Sequence, residues 1–499
     1  MAQEKTEAKP QDQKPETEKP EAEKKPVEAP PDREAVTEGS VTVGRTKVSY
    51  RAVAGTYTMK EEDGTPKATF FYVAYTRTGV KDPARRPVTF AFNGGPGSSS
   101  VWLHMGLFGP RRVPLGDADT PPAPPYRAVE NEHTILDLSD LVMIDPVSTG
   151  FSRPVRAEDG KEYHGLDEDT ASVAEFIRLW TSRNRRWESP KFVMGESYGT
   201  TRAAALAGHL TEKLGMYLNG VVLISTILLF QTARPDPGND LPYILFLPTY
   251  AATAWYHQKL DRRRWKGLQA LTDEVEEFAL GDYASVLMRG SRASAKERAA
   301  VADRLGEYSG LGRDFVERAD LRVSPQRFFK ELLRDRRRTT GRLDTRYTGI
   351  ARDAAGETPE YDPAYSMIQG IYTAAINDYI RRDLEFDSDL LYDIISEKVR
   401  PWKWGEQGDG KYPEVVSPLR SALNRNRHMR VLVASGYYDL ATPFCAAEWT
   451  VDHMQLDPEV RANVTFTRYE AGHMMYVHEP SIRQLRRDLG EFMEAALRS

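Results

Sequence analysis

The chain has 499 residues, of which 28% are charged and 40% hydrophobic, and its formal net charge is −5. That length can bury a large core, so one large domain with an insertion is plausible. The slightly negative charge balance argues against a nucleic acid as partner, and the lack of any run of about 18 apolar residues argues against a transmembrane helix. The single cysteine, Cys445, excludes an intrachain disulfide and disfavours a disulfide-stapled secreted fold, but it says little about a bacterial periplasm.

The first 35 residues are mostly Lys, Glu, Pro, Ala and Gln, with almost nothing apolar. Such a segment cannot offset its ordering entropy by burial, so we predict a disordered tail over residues 1–35. The segment has no apolar core of a signal peptide, although it could follow a signal that has been removed. We expect a solvated tail without a catalytic role.

From Val36 the pattern changes to alternating strands, with a hairpin signal at residues 62–64. A buried-looking strand at 87–92 then runs into residues 93–100, where glycine and serine dominate. Small residues directly after a strand allow the backbone to approach another group closely. Taken alone, the segment fits either an oxyanion-hole loop or an ordinary glycine-rich turn.

Further along, a short apolar strand at 141–145 precedes a helical pattern at 167–187. Residues 191–194 form another short apolar run, which turns sharply through Gly-Glu-Ser-Tyr-Gly at 195–199 and continues into an alanine-rich segment. Strand, tight turn and helix around G-x-S-x-G is the context of a nucleophile elbow, which exposes the serine hydroxyl, here that of Ser197. A chance match is the alternative, and the flanking strand and helix argue against it.

A strand predicted at 218–225 continues the alternation of strands and helices, which predicts a mostly parallel sheet. Ligands in such sheets bind at the carboxyl ends of strands, where Asn93 and Ser197 both fall. Because the glycine-rich segment lies upstream of a nucleophile elbow, the oxyanion-hole interpretation becomes the better one.

The alternation stops at residue 226, and through residue 384 the chain is mostly helical with charged faces. We interpret residues 226–384 as a helical cap inserted over the active edge of the sheet. Its arginine runs, at 262–264 and 334–338, are typical of solvated faces rather than of a nucleic-acid site.

Strands return at 430–435 and 464–469, and an amphipathic helix at 480–497 closes the chain. The hydrolase-like core would therefore consist of two parts, residues 36–225 and residues 385–499.

A serine hydroxyl needs a base to take its proton and a carboxylate to orient that base. In α/β-hydrolases the chain order is serine, acid, histidine, and Ser197, Asp439 and His473 satisfy it. The competing residues lie away from the predicted strand ends: His453, His478, Asp452 and Asp457. The nine histidines are scattered, without an H-E-x-x-H motif or paired cysteines, so we expect no metal or other cofactor.

Four sequence blocks, at 93–99, 195–199, 436–439 and 471–474, together resemble the signature blocks of the serine carboxypeptidases, peptidase family S10. A fifth piece, at 144–152, is similar to the block that precedes the elbow in that family. The resemblance covers roughly residues 85 to 480 and looks closest to bacterial members, which are poor in cysteine. It implies an α/β-hydrolase fold, a mostly parallel sheet flanked by helices, with an inserted helical cap.

By position, the resemblance implies Ser197 as nucleophile, His473 as general acid and base, and Asp439 as the acid that orients it. The backbone N–H groups of Gly95 and Tyr198 would form the oxyanion hole.

The resemblance also implies that Asn93 and Glu196 bind the terminal carboxylate of the substrate. A glutamic acid binds a carboxylate only while one of the two holds a proton, so activity should favour acidic pH. A structural hydrogen bond at the elbow is the alternative role for Glu196. Two positions depart from the family pattern: Ser98 replaces a common cysteine, and Leu107 stands where a second glutamate often supports carboxylate binding.

The resulting hypothesis is a serine-type carboxypeptidase that acts on peptides with a free C-terminus. An esterase or acyltransferase with the same triad is the alternative, which the Leu107 departure favours, and a non-catalytic binding protein is a third reading. The resemblance implies a periplasmic or secreted location, and the sequence leaves the oligomeric state open.

Overall fold

The computed structural model describes residues 28–116, 118, 122–405 and 412–498. Most of the predicted tail, residues 1–27, lies outside the described residues. The prediction is wrong for its last three residues, because the first strand already begins at Arg33, which pairs with Thr56 of the next strand. The ladder therefore begins three residues before the predicted boundary at Val36. Directly before it, Asp32 accepts a 2.6 Å hydrogen bond from the backbone N–H of Thr58.

Among the residues that the structure describes, the main sheet contains ten strands, in the order β1-β2-β3-β7-β4-β9-β10-β13-β14, with β8 paired to β3. The strands from β1 to β7 along this order pair antiparallel, and those from β7 to β14 pair parallel. The described strands are β1 (Arg33–Val43), β2 (Thr46–Lys60), β3 (Pro66–Arg77), β4 (Val88–Phe92), β5 (Arg111–Arg112), β6 (Val129–Glu130), β7 (Asp140–Ile144), β8 (Arg153–Pro154), β9 (Lys191–Ser197), β10 (Gly220–Thr226), β11 (Arg338–Thr340), β12 (Thr348–Ile350), β13 (Arg430–Gly436) and β14 (Val464–Tyr469).

Helices cover both faces of this sheet and form most of the region between β10 and β13. The described α-helices are α1 (Val101–Leu103), α2 (Leu166–Arg183), α3 (Tyr198–Lys213), α4 (Leu241–Tyr256), α5 (Leu268–Phe278), α6 (Ala284–Arg289), α7 (Ala295–Ser309), α8 (Arg313–Arg318), α9 (Pro325–Glu331), α10 (Pro363–Arg382), α11 (Val416–Arg425), α12 (Phe444–Asp452), α13 (Pro458–Arg461) and α14 (Glu479–Arg498). Within the described parts of the chain, no helix combines the length and the apolar character that crossing a bilayer requires.

The central strands are buried on both faces, as parallel strands between two helical layers must be. Along β9, Phe192 and Met194 point into the core beneath α10 and α14, whereas Val193 points into the core beneath α2 and α3. This alternation follows from the two-residue period of a strand. The mostly parallel sheet flanked by helices that the sequence predicts is therefore confirmed, including its antiparallel start.

The region between β10 and β13 is mostly helical, with its own apolar cluster that includes Tyr250 stacked on Phe328. It also contains the β11–β12 hairpin, which the sequence interpretation did not include. Helix α10 packs in the cluster that contains α14 and the sheet residues. The division at 226–384 stays a prediction. Helix α10 falls in that range although it packs with sheet residues on one face, and Leu228 and Phe230 pack with sheet residues on the other.

Candidate active site

The nucleophile elbow is formed by β9, which ends at Ser197, and α3, which begins at Tyr198. Ser197 has φ 61° and ψ −129°, a backbone conformation that non-glycine residues adopt rarely and at a cost. A Cβ atom at Gly195 would collide with the carbonyl oxygen of Gly199, and one at Gly199 would lie 3.0 Å from the carbonyl oxygen of Phe92. The two glycines are therefore required by the close approach of strand and helix, as the G-x-S-x-G pattern predicts.

Asp439 and His473 lie in the loops that follow β13 and β14, and their side chains are in contact. Nδ1 of His473 is 2.7 Å from Oδ2 of Asp439. Asp439 also accepts hydrogen bonds from the backbone N–H groups of Ala441 and Thr442, at 2.8 and 3.1 Å, and from the Thr442 hydroxyl at 2.7 Å. In the neutral ring, a proton on Nδ1 that donates to Asp439 leaves Nε2 as a hydrogen-bond acceptor.

The pKa of His473 depends on opposing effects of its buried surroundings. Burial lowers this pKa, but the adjacent Asp439 carboxylate raises it by charge and hydrogen bonding, so the net direction is upward. Glu196 adds a smaller upward effect, and Arg342 a downward one. The imidazolium form that a general base passes through is therefore stabilised relative to an isolated histidine.

A segment from the region between β10 and β13 holds the histidine loop in place. The backbone N–H of His473 donates to the carbonyl of Leu343 at 2.6 Å, and the Ser225 hydroxyl donates to the carbonyl of His473 at 2.6 Å. The N–H of the preceding Gly472 donates to Asp344 at 3.1 Å. Sequence reasoning missed Leu343 and Asp344, since no local motif marks residues that act through the fold.

The glycine-rich loop after β4 lies directly against the elbow. A Cβ atom at Gly94 would collide with the backbone nitrogen of Tyr198, and Gly95 has φ 104°, which favours glycine. Gly95 borders the same cavity as Ser197. Of the two predicted oxyanion-hole positions, Gly95 therefore directly follows the glycine that contacts the backbone of Tyr198, the other position.

A buried ion pair holds the start of the glycine-rich loop after β4 in place. Nε of Arg202 is 2.7 Å from Oδ2 of Asp169, and Nη1 of Arg202 donates to the carbonyl of Asn93 at 2.6 Å. The Tyr198 hydroxyl also donates to Asp169, at 3.1 Å. Sequence reasoning missed this pair, although an arginine within the alanine-rich first turns of α3 was a signal that could have indicated it.

Glu196 is only 3% exposed, and both of its carboxylate oxygens accept hydrogen bonds. Nδ2 of Asn93 donates to Oε1 at 3.0 Å, and the Tyr476 hydroxyl donates to Oε2 at 2.6 Å. The N–H of Leu103 donates to Oδ1 of Asn93 at 2.9 Å, which fixes the amide orientation. Burial raises the pKa of Glu196 to about 7, against the lowering effects of His473 and of the two hydrogen bonds. This carboxyl group therefore holds a proton over much of the acidic range.

Leu107 lies in the apolar core under α10 and is fully buried. The position where the family pattern often has a second glutamate therefore supplies no polar side-chain atom. Tyr476, three residues after His473, bonds Glu196 instead. Sequence reasoning missed Tyr476, because tyrosines in a buried segment usually indicate packing.

A cavity of about 350 Å³ joins these groups. The predicted site residues that line it are Asn93, Gly95, Glu196, Ser197 and His473. Its other walls are mainly apolar or aromatic and include Trp102, Tyr365, Ile368, Ile395 and Met474. Arg342 contributes a cation at the edge. A mostly apolar pocket with a few convergent polar groups is typical of a site that binds an organic substrate.

Among the described residues, one group of metal-type ligands comes together, formed by Glu132, His133 and Glu479. Glu479 is also 3.0 Å from Nη2 of Arg112, a cation that competes with a metal ion for the same carboxylate. These residues do not line the cavity of Ser197 and His473.

The serine on a strand–helix elbow, with an aspartate and a histidine following later strands of a mostly parallel sheet, defines the α/β-hydrolase class. A family model described as serine carboxypeptidase matches residues 44–482. The chain belongs to this family.

The curated relatives that match include two proteins of Arabidopsis thaliana. Serine carboxypeptidase-like 46 is 26% identical over 200 residues, which are 38% of this chain and 39% of the relative. Serine carboxypeptidase-like 22 is 27% identical over 202 residues, which are 40% of each chain. The match thus spans about two-fifths of the length of these relatives. Both relatives are plant proteins, so the expected closeness to bacterial members stays a prediction.

Among solved structures, Kex1(delta)p, a prohormone-processing carboxypeptidase from Saccharomyces cerevisiae, is similar to this chain with a TM-score of 0.51. The identity is 17%, and the match covers 89% of this chain and 91% of that one. At this identity the likeness supports the fold.

Proposed function

We propose that this protein is a serine-type carboxypeptidase, which releases C-terminal amino acids from peptides through an acyl-enzyme on Ser197. The observation that carries the proposal is the buried Glu196, directly before the nucleophile, bonded to Asn93 and bordering the same cavity. A carboxyl group with a raised pKa at this place suits the recognition of a second carboxylate.

In the proposed reaction, His473 accepts the proton of the Ser197 hydroxyl as its oxygen attacks the last peptide carbonyl. The N–H groups of Gly95 and Tyr198 stabilise the negative oxygen of the tetrahedral intermediate. Collapse breaks the C–N bond, His473 gives its proton to the leaving amine, and an ester on Ser197 remains. Water then attacks this ester with His473 again as base, which frees the shortened peptide and restores the serine. Asp439 orients the imidazole throughout.

The carboxylate site would act through a shared proton. Below pH about 7, Glu196 is mostly protonated and donates a hydrogen bond to the substrate's terminal carboxylate. As the pH rises through the pKa of Glu196, the group ionises and repels that carboxylate, so KM for peptides rises. Activity on free acids should therefore be strongest on the acidic side, provided that His473 is neutral enough to act as base.

The test compares a blocked dipeptide with its C-terminal amide from pH 4 to 8. We expect cleavage of the free acid to dominate and its kcat/KM to fall as Glu196 ionises, while cleavage of the amide lacks this decline. Ser197→Ala is the control, and it should remove both activities. Equal cleavage of both substrates at every pH would contradict the carboxypeptidase proposal.

One observation favours a second candidate, an esterase or acyltransferase that uses the same triad. Leu107 leaves the site with one carboxyl group fewer than the family pattern often has. This candidate predicts fast ester turnover that is indifferent to a free carboxylate on the substrate. A serine-directed phosphonate that failed to label Ser197 would instead favour a non-catalytic binding protein.

The partners in this proposal are peptides with a free C-terminus. The same proposal includes a periplasmic or secreted location and closeness to bacterial members of the family. It also includes the division of the chain into a core of two parts and a helical cap at 226–384. Fractionation of the native host with an antibody against this chain would test the location.

A further inference from the structure

The Tyr476 hydroxyl is the hydrogen-bond donor to the carboxylate oxygen of Glu196 that Asn93 does not contact. It donates to Oε2 of Glu196 at 2.6 Å, while Asn93 occupies Oε1. Tyr476 follows His473 on the segment that leads into α14, and its side chain is buried. Leu107 supplies only packing.

We propose that Tyr476 is a positioning residue of the carboxylate site, because its hydroxyl holds the Glu196 carboxyl group in place. The family pattern often has a second glutamate to support this site, and Leu107 at that position cannot do so. The inference rests on the proposed function, because it concerns how the same site reads a terminal carboxylate.

The ring of Tyr476 packs directly against Gly106, where a side chain would not fit. A Cβ atom at Gly106 would collide with Cε2 of Tyr476 and would also come within 2.7 Å of the Tyr372 hydroxyl. Any larger residue at Gly106 would therefore displace this ring. Gly106 therefore leaves room for the Tyr476 ring, and the adjacent Leu107 supplies no polar side-chain atom.

A phenol differs from a second carboxyl group in two ways that matter here. Burial raises the pKa of Tyr476 well above its ordinary value, so the hydroxyl keeps its proton over the whole working range. The hydroxyl also adds no negative charge when the pH rises. It therefore fixes the orientation of Glu196 at every pH, whereas a pair of carboxyl groups would lose its shared proton on ionisation.

The sign of the expected effect follows from the groups that face Glu196. His473, Tyr476 and Asn93 lower its pKa, whereas burial and Asp439 raise it. Tyr372 also faces this carboxyl group. Because Tyr476 stabilises the ionised form, loss of its hydroxyl moves the pKa of Glu196 upward. The protonated, carboxylate-binding form then persists to higher pH, although the side chain is held less firmly.

Tyr476→Phe tests the proposal, and Tyr372→Phe is the matched control. The Tyr372 hydroxyl is buried in the same cluster and, within the described residues, has no hydrogen-bond partner. For Tyr476→Phe, we expect about a three- to tenfold lower kcat/KM on free acids at acidic pH, the size expected for one hydrogen bond. The decline of kcat/KM should move to higher pH, and turnover of the C-terminal amide should change less than about twofold. Tyr372→Phe should keep the wild-type profile.

A direct titration separates failure of this inference from failure of the proposed function. The carbonyl-stretch band of protonated Glu196, identified in the infrared spectrum by its loss in Glu196→Gln, needs no substrate. We expect its midpoint to rise in Tyr476→Phe and to stay in Tyr372→Phe. An unchanged or lower midpoint in Tyr476→Phe would overturn the inference, whatever the substrate data show. If Tyr476→Phe does not fold, Gly106→Ala displaces the same ring, and the same upward shift is expected.

Discussion

Asp439 and Glu196 are two buried carboxyl groups that face the same histidine, yet their hydrogen-bond supply is very different. Asp439 accepts from two backbone N–H groups, the Thr442 hydroxyl and the His473 ring. Glu196 accepts from one amide and one phenol, and burial raises its pKa to about 7.

The difference shows how two carboxyl groups around one histidine can suit opposite tasks. Dense donors suit a group that stays a hydrogen-bond acceptor and orients the base. Sparse donors in an apolar environment suit a group that keeps a proton near neutral pH and can donate it. The proposed roles of Asp439 and Glu196 follow this division. We call Asp439 the acceptor side of the site and Glu196 the donor side, and the following variants test each side.

The largest expected effect comes from Asp439→Asn. The asparagine keeps the volume but donates where the carboxylate accepted, so His473 is held in the wrong tautomer. We expect kcat to fall by about 10⁴ on both the free acid and the amide, as in other triads that lose this carboxylate. The measurement is steady-state turnover of both substrates. A loss below about tenfold would mean that Asp439 does not orient the base.

Glu196→Gln tests the donor side with a smaller effect. Glutamine always carries a donor and does not titrate, so the decline of free-acid kcat/KM above pH about 7 should disappear. We expect about a three- to tenfold loss at acidic pH, because a neutral amide is a weaker partner than the carboxylic acid. Turnover of the C-terminal amide serves as the internal control and should remain near the wild-type value. A decline with pH that persists in Glu196→Gln would assign it to another group.

The elements and residues with strong local signals were the ones that the sequence could predict. The alternation of strands and helices along the chain and the G-x-S-x-G pattern around Ser197 can both be recognised within short stretches of sequence. The confirmed, mostly parallel sheet follows from the first of these patterns. The structure also brings Asn93, Glu196 and His473 to the cavity of Ser197. Their catalytic and binding roles stay predictions.

The missed residues act through contacts between distant parts of the chain. Leu343 supports His473 across 130 positions, and Tyr476 reaches Glu196 across 280. Neither contact leaves a periodicity or a motif, because a carbonyl oxygen or a phenol is available almost anywhere. The Leu107 departure was visible in the sequence, but its replacement by Tyr476 required the fold.

Thr442→Val removes one of the four donors of Asp439 at nearly constant volume. The Thr442 hydroxyl contributes a 2.7 Å hydrogen bond to the same oxygen that His473 contacts. We expect kcat to fall about fivefold, which corresponds to about 1 kcal/mol for one hydrogen bond. Thr442→Ser, which keeps the hydroxyl, should be close to wild type. Equal rates for the valine and serine variants would show that three donors suffice.

The smallest expected effect concerns Arg342, whose positive charge acts on His473, the histidine that both carboxyl groups face. Arg342 lies at the edge of the cavity and lowers the pKa of His473 by repulsion between the two positive charges. In Arg342→Ala this pKa should rise, so a smaller fraction of His473 is neutral at acidic pH, and the acidic limb of kcat/KM should move to higher pH. Arg342→Lys keeps the charge and should keep the limb in place.

Because Arg342 is exposed, added salt should bring the wild-type limb toward that of Arg342→Ala. The amide substrate is the one to use, since its profile does not include carboxylate recognition by Glu196. A limb that moved on the free acid alone would place the effect of Arg342 on the substrate carboxylate instead of on the base. That outcome would extend the donor side of the site from Glu196 to the cavity edge.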